Sequence, residues 1–442
     1  MVDIYVRSTD GNDVDDGSTW ALAKATIPTA ISAGTRVVVS QVHSESLAVA
    51  KTITVSGTSV APGIIACGND VSEPPTTPAI TGKMATTGAN AITFAGTYLV
   101  VDGVVIEAGS GAVNTYLNIA TAGNQVHAYR NCDFILRATG PSASITTGTA
   151  SNLNPSQVTW EKCNVKFLGT NGKIINISTN FDWSGGTALP GTATPSGTLF
   201  QYVSAGEGVN SHISGVDFSN FASTLIFFNV LGQSGYAEMR NCRLPANWSG
   251  SLVSAEMGYG CRVEMHNCDS ADTNYRLWVQ DYWGTVKSET ALVRTGGASD
   301  GTTSYSWQVA SNANASKNFP LWAPEVVRWN DTVAVAVTVT VEILHDSVTA
   351  LQDDEVWLEV MYLGTAGYPL GSHISDRTAS VFATPVDQTS SAEVWTTTGM
   401  TNPNKQKLTV TFTPQEKGYI HAKVYLGKDS KTIYVDPKIT VS

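Results

Sequence analysis

YRNCDFI from Tyr129, WEKCNVKF from Trp160, ISGVDFSNF from Ile213, MRNCRL from Met239 and MHNCDS from Met265 share one pattern. An apolar or aromatic residue is followed by two polar or small residues, then a cysteine or valine, then a polar residue. The aligned positions are Cys132, Cys163, Val216, Cys242 and Cys268, at steps of 31, 53, 26 and 26 residues. A weaker copy, VVDGVVI, places Gly103 in the cysteine slot 29 residues before Cys132. The 53-residue step is close to two 26-residue steps, as if one copy had drifted beyond recognition. A period in the high twenties marks a solenoid, whose units bury their apolar faces only by stacking on one another.

Each unit has a simple physical reading. In VEMHNCD, Val263 and Met265 alternate on one face, His266 and Asn267 bend the chain, and Cys268 resumes the inward face. Trp160, Cys163, Val165 and Phe167 follow the same arithmetic. Asn131, Asn241 and Asn267 sit at the bend, where asparagine tolerates left-handed backbone and can ladder with its neighbour above. Lys162 interrupts that ladder. Four of the six cysteines fall in one slot, so they read as stacked buried thiols; a disulfide framework is the other reading. Zinc finds no Cys-x-x-Cys or paired histidines.

Composition points the same way. Of 442 residues only 14% are charged, while 39 are Gly and the β-branched residues are many, a mixture for strands and tight turns. A length of 442 exceeds one compact core. The net charge of −11 argues against a nucleic-acid or anionic-membrane partner. The N-terminus lacks the pattern of a secretory signal, and no apolar run reaches the roughly 20 residues that span a bilayer.

Four segments follow. Residues 1–36 form a cap with a strand at Asp3 to Arg7 and a short or kinked helix over WALAKATIPTAIS, N-capped by Ser18 or Thr19 and interrupted by Pro28. Residues 37–285 form the coils, and the Gly/Ser-rich 286–302 forms a linker. Residues 303–442 read as an antiparallel β-sandwich, with strands at Val333–Leu344, Glu355–Leu363, Ala379–Thr384, Lys407–Thr413, Gly418–Leu426 and Thr432–Thr440. The fold class is therefore all-β.

The opening YVRSTDGNDVDDGSTWALAKATIPTAI and the xNCxF-type coils resemble right-handed parallel β-helix proteins, many of them from bacteriophages, over about 285 residues. The C-terminal sandwich is similar to accessory domains appended to such proteins. The resemblance implies the fold and leaves the activity open, since β-helices serve as lyases, hydrolases, adhesins and inert parts. Tailspikes of this kind usually carry a particle-binding domain before the helix and often a trimerising stalk after it; neither is read here.

Glycan-cleaving β-helices gather carboxylates on one face. Candidates are Glu161, Glu238, Glu256, Glu264, Asp269, Asp272 and Asp281, with Arg240 and Arg262. Glu161, Arg240 and His266 share a slot and form an outward column, either a substrate groove or a solvated face. The acidic turn Asp10, Asn12, Asp13, Asp15 and Asp16 lacks EF-hand order and reads as a hydrated turn. The histidines (43, 127, 212, 266, 345, 373, 421) are scattered. Tyr275, Trp278, Tyr282 and Trp283 read as packing for the last coil. No catalytic, cofactor-binding or metal residue is assigned, and no cofactor. The expectation is a non-enzymatic phage virion protein on the particle exterior, made in the host cytoplasm: a capsid decoration or cement protein. Its partners would be the major capsid protein or other virion proteins, and copies of itself, as a trimer for preference. The alternative is a tail spike or fibre that binds or cleaves host polysaccharide.

Overall fold

The computed structural model describes residues 1–148 without a break. From 156 to 270 it omits 170–172, 177–178, 191–197, 203–208, 231–234, 247, 249, 251 and 254–261. Beyond 270 it describes 273–280, 284–289, 294–295, 306–311, 321–322, 326–330, 335–346, 348–349, 351, 355–362, 394–395, 401, 403–413, 418–435 and 440–442. The chain divides into two compact units, Met1–Asn274 and Tyr275–Ser442.

The first unit is a right-handed parallel β-helix with three sheets. The first sheet stacks Val2–Val6, Thr35–Ser40, Gly63–Asn69, Leu99–Asp102, Val126–Arg130, Ser156–Glu161, Thr179–Ser184, Val209–Ser214, Gly235–Arg240 and Arg262–Ser270, all parallel. The second runs from Ser44–Leu47 to Ala188–Pro190 and the third from Ala30–Ser32 to Ile226–Val230.

Register makes the repeat explicit. Tyr129, Trp160, Trp183, Ile213, Met239 and Met265 lie one above another, each nearly or wholly buried. Three residues later, Cys132, Cys163, Val216, Cys242 and Cys268 are all fully buried. Between them the bend residues Asn131, Lys162, Gly185, Gly215, Asn241 and Asn267 all have φ between 49° and 67°. Asparagine and glycine enter this left-handed region at low cost, and Lys162 is held there by its neighbours. The ladder at the bend is made by backbone: the amides of Asn131, Lys162, Gly185, Gly215 and Asn241 each donate to a carbonyl in the next coil. Two sequence readings shift. Val101 and Asp102 pair with Tyr129 and Arg130, so Gly103 is a bend residue (φ 72°) and Val104 fills the cysteine slot. The drifted copy is WSGGTA, with Trp183 over Trp160 and Gly186 in the slot. A Cβ on Gly186 would fall 2.0 Å from the Cys163 carbonyl oxygen, to which the Trp183 indole donates at 3.2 Å. Glycine there makes room for the ring.

Five cysteines (67, 132, 163, 242 and 268) are free and buried, and the sixth lies outside the described residues. Beside the thiols runs a chain of rings, with centroids 5.6 Å apart for Phe94–Tyr129, 4.5 Å for Phe134–Trp160, 5.4 Å for Trp160–Trp183 and 5.8 Å for Trp183–Phe218. Each of these rings buries a large apolar area between successive coils.

His127 sits in this core, fully buried, with Nε2 2.9 Å from the Gly96 carbonyl oxygen. Burial pushes its pKa down from 6.5 to about 4. The unfolded chain then binds a proton that the folded chain refuses, so stability is full above pH 6.5 and falls between 6.5 and 4. Urea unfolding at pH 7 and pH 4 is expected to show about 3 kcal/mol lost through this residue. His127→Leu should flatten that stretch of the profile; an unchanged slope would exclude His127 as its source.

The cap differs from expectation. Trp20–Leu22 is a single 3-10 turn whose N-cap, Thr19, accepts the Leu22 amide. Trp20, Ala23, Ile27 and Ile31 are buried as their spacing implied. The helix fails because its amides are taken elsewhere: Lys24 donates to Tyr5 O, Thr26 to Asp13 and Ile27 to Glu45, and Pro28 has no amide. The strand Val2–Val6 is itself the first rung of the first sheet.

In the second unit the strands are antiparallel. One sheet pairs Thr273–Gln280 with Gly284–Glu289, then Ser306–Ser311, Thr432–Val435, Val337–Asp346 and Pro403–Phe412. The other gathers Leu321–Trp322, Val326–Asn330 and Val356–Tyr362 on Gly418–Leu426. The strand expected at 379–384 lies outside the described residues. Among the described residues no helix is long and apolar enough to cross a membrane.

Candidate functional site

Outward positions of the first sheet alternate with the buried ones, so each makes a column along the rod. Arg130, Glu161, Ser184, Ser214, Arg240 and His266 form one column, containing the three residues that the sequence placed together. Two positions earlier lie Ala128, Thr159, Asp182, His212, Glu238 and Glu264. Two earlier again are Gln157, Asn180, Asn210, Tyr236 and Arg262.

On the last three coils these columns bring the charges together. Glu238 and Glu264 pair directly and are only 7% and 6% exposed, although they lie on the outward face. The charged neighbours that flank them account for this burial. Tyr236 Oη donates to Glu264 Oε2 at 2.8 Å, and His266 Nε2 lies 2.9 Å from the same oxygen. Arg262 pairs with Glu264 Oε1. Arg240 Nη2 lies 2.5 Å and His266 Nε2 3.7 Å from Glu238 Oε1. His212 Nδ1 is 3.4 Å from Glu238 Oε2.

Electrostatics fix the charge states of the acids. Burial works to raise both carboxyls, but the surrounding donors outweigh it. His266, Arg262 and Tyr236 push Glu264 down to about 2. Arg240, Tyr236 and His212 hold Glu238 below the ordinary carboxylate range. Burial and the adjoining Glu264 carboxylate push the Tyr236 phenol up. Neither glutamate therefore serves as a proton donor near neutral pH, and proton transfer here would fall to histidine or tyrosine. The half-exposed Arg240 and Arg262 present cationic edges to solvent.

Elsewhere the candidates disperse. Asp269 lies past the Asn267 bend, its backbone paired with that of Arg243. Glu256, Asp272 and Asp281 lie outside the described residues, as do His373, Tyr282 and Trp283, and the side chains of Tyr275 and Trp278. The acidic turn is spent on its own backbone: Asp13 accepts from Thr26 N and Oγ1, Asp16 from Ser18 N, and Asn12 from Val14 N. A groove of about 340 Å³ on the second sheet, lined by Asp133, Ile135, Asn164, Lys166, Thr187 and Leu189, was not anticipated.

No protein-family model matches the chain, and no curated protein matches it. Among solved structures it is similar to the enzymatically active domain of tailspike protein 4 of bacteriophage CBA120, with a TM-score of 0.28 and 10% identity. The match covers 92% of this chain and 64% of that one, so the chain spans just under two thirds of that domain. The expectation of a non-enzymatic protein is not kept: a solved structure with which the chain aligns is an enzymatically active domain, which is a property of that protein.

Proposed function

We propose that this chain is a phage virion protein of tailspike type, exposed on the particle, which engages and cleaves a host surface polysaccharide at the Glu238–Glu264 cluster. The carrying observation is that a chain with only 14% charged residues concentrates Glu238, Arg240, Arg262, Glu264, His212 and His266 on adjoining coils of one outward face. The decoration reading goes with a sequence to which no catalytic residue is assigned. Glu238 and Glu264 remove that ground. A flat face of alternating hydroxyl, amide and ionic side chains, continuing through Asp182, Asn180 and Ser214, suits a chain of sugars.

Incubating the protein with capsule or lipopolysaccharide of its host is expected to release new reducing ends or unsaturated sugar products. His266→Gln should slow that release by about 10²-fold with an unchanged circular dichroism spectrum. Absence of both binding and cleavage, with immunogold label over the head, would return the protein to the shell.

A further inference from the structure

We propose that Glu238, Glu264 and His266, supported by His212, form a binding site for a divalent transition-metal ion of the zinc type. One donor atom from each of the first three lies within 4.8 Å of the others. His266 Nε2 is 2.9 Å from Glu264 Oε2 and 3.7 Å from Glu238 Oε1. Donors around tetrahedral zinc, with bonds of about 2.1 Å, stand about 3.4 Å apart. The two His266 distances are within tenths of an ångström of that spacing, and the parallel register already holds the two glutamates side by side, their oxygens within 4.8 Å.

A second observation concerns a single oxygen. Glu238 Oε1 is sealed from solvent in a side chain over nine-tenths buried, and the cation that it has found is the Arg240 guanidinium, 2.5 Å away. The same oxygen faces His266. A buried carboxylate oxygen of this kind is strongly driven to find a cation. The ligand set selects the ion: imidazole favours zinc-like metals over calcium or magnesium, which take oxygen donors alone. His212 Nδ1, 3.4 Å from Glu238 Oε2, orients the carboxylate in the manner of an outer-shell partner.

Arg240 and Arg262 now neutralise the two carboxylates. Both side chains are about half-exposed and can swing into water, leaving two carboxylates and an imidazole for a divalent ion. The arginines therefore compete with the metal, which sets up an unusual sign. Metal binding depends only on these side chains, so it stands or falls apart from any action on polysaccharide.

The test is isothermal titration of the full chain, stripped with chelator, with zinc chloride and separately with calcium chloride. One zinc per chain is expected, with little heat from calcium. Glu264→Gln and His266→Gln should each weaken zinc binding at least ten-fold and His212→Gln by about ten-fold. Arg262→Gln should tighten it. Should Glu264→Gln unfold the chain, the Arg262→Gln result decides alone. Absence of saturable zinc binding, equal response to calcium, or weaker binding in Arg262→Gln would each overturn the site.

Discussion

Cys163→Asp is expected to abolish soluble folding of the β-helix. Cys163 is fully buried between Cys132 below and Gly186 above, and its thiol points at the carbonyl oxygens of Tyr129 and Glu161, at 3.4 and 3.5 Å. Burial, with the neighbouring Cys132 thiol, pushes the Cys163 thiol far up, so the site holds only a neutral group. An aspartate there would turn a buried carboxylate onto two carbonyl oxygens. The effective cost of such an ion is several kcal/mol, against a total stability of about 5–15 kcal/mol for a folded domain. Each coil is the template for the next, so the defect spreads along the rod. Cys163→Ala, which leaves only a small void, should remain soluble and lose about 1 kcal/mol. Soluble yield and the far-ultraviolet spectrum of the two variants give the result; a well-folded aspartate variant would refute the inward thiol stack.

The same column shows how far the sequence could be read. Wherever the slot kept a cysteine or valine, spacing alone located the coil, because the inward residue after a bend must be small and apolar. The copy at Trp183 escaped because Gly186 stands in the slot, splitting the 53-residue interval into steps of 23 and 30. Its Trp183, aligned with Trp160, was the surviving signal. The one-residue shift at Gly103 has the same origin: a glycine reads equally well as a small core residue or as a left-handed bend, and only register decides.

The carboxylate pair was legible in part. Glu238 and Glu264 are 26 residues apart, the same step as Cys242 and Cys268, and each precedes its column partner Arg240 or His266 by two. That arithmetic places them side by side; their burial under arginine, histidine and tyrosine could not be read from it. The cap helix was misread for a different reason. Its apolar spacing was genuine, but the amides it needed were claimed by Asp13, Glu45 and Tyr5 O, contacts that no local pattern announces.

Glu45 carries the second large effect. Lys51→Met is expected to cost 3–5 kcal/mol, the usual penalty for stranding one member of a buried ion pair. Glu45 and Lys51 are 4% and 5% exposed, with Lys51 Nζ 3.4 Å from Glu45 Oε1. Both hold the loop ahead of Ala30–Ser32: Lys51 donates to Ile27 O, and Glu45 Oε2 accepts Ile27 N at 2.9 Å. Without the ammonium, Glu45 keeps that amide and the flank of His43, whose Nε2 lies 3.6 Å away and whose ring nitrogens accept and donate no hydrogen bond. The double variant Glu45→Gln/Lys51→Met removes both charges and should recover much of the loss, giving a coupling of 1–3 kcal/mol in a urea-unfolding cycle. Additive single losses would mean that the three side chains share a space without acting as a unit, and that Ile27 is held by packing alone.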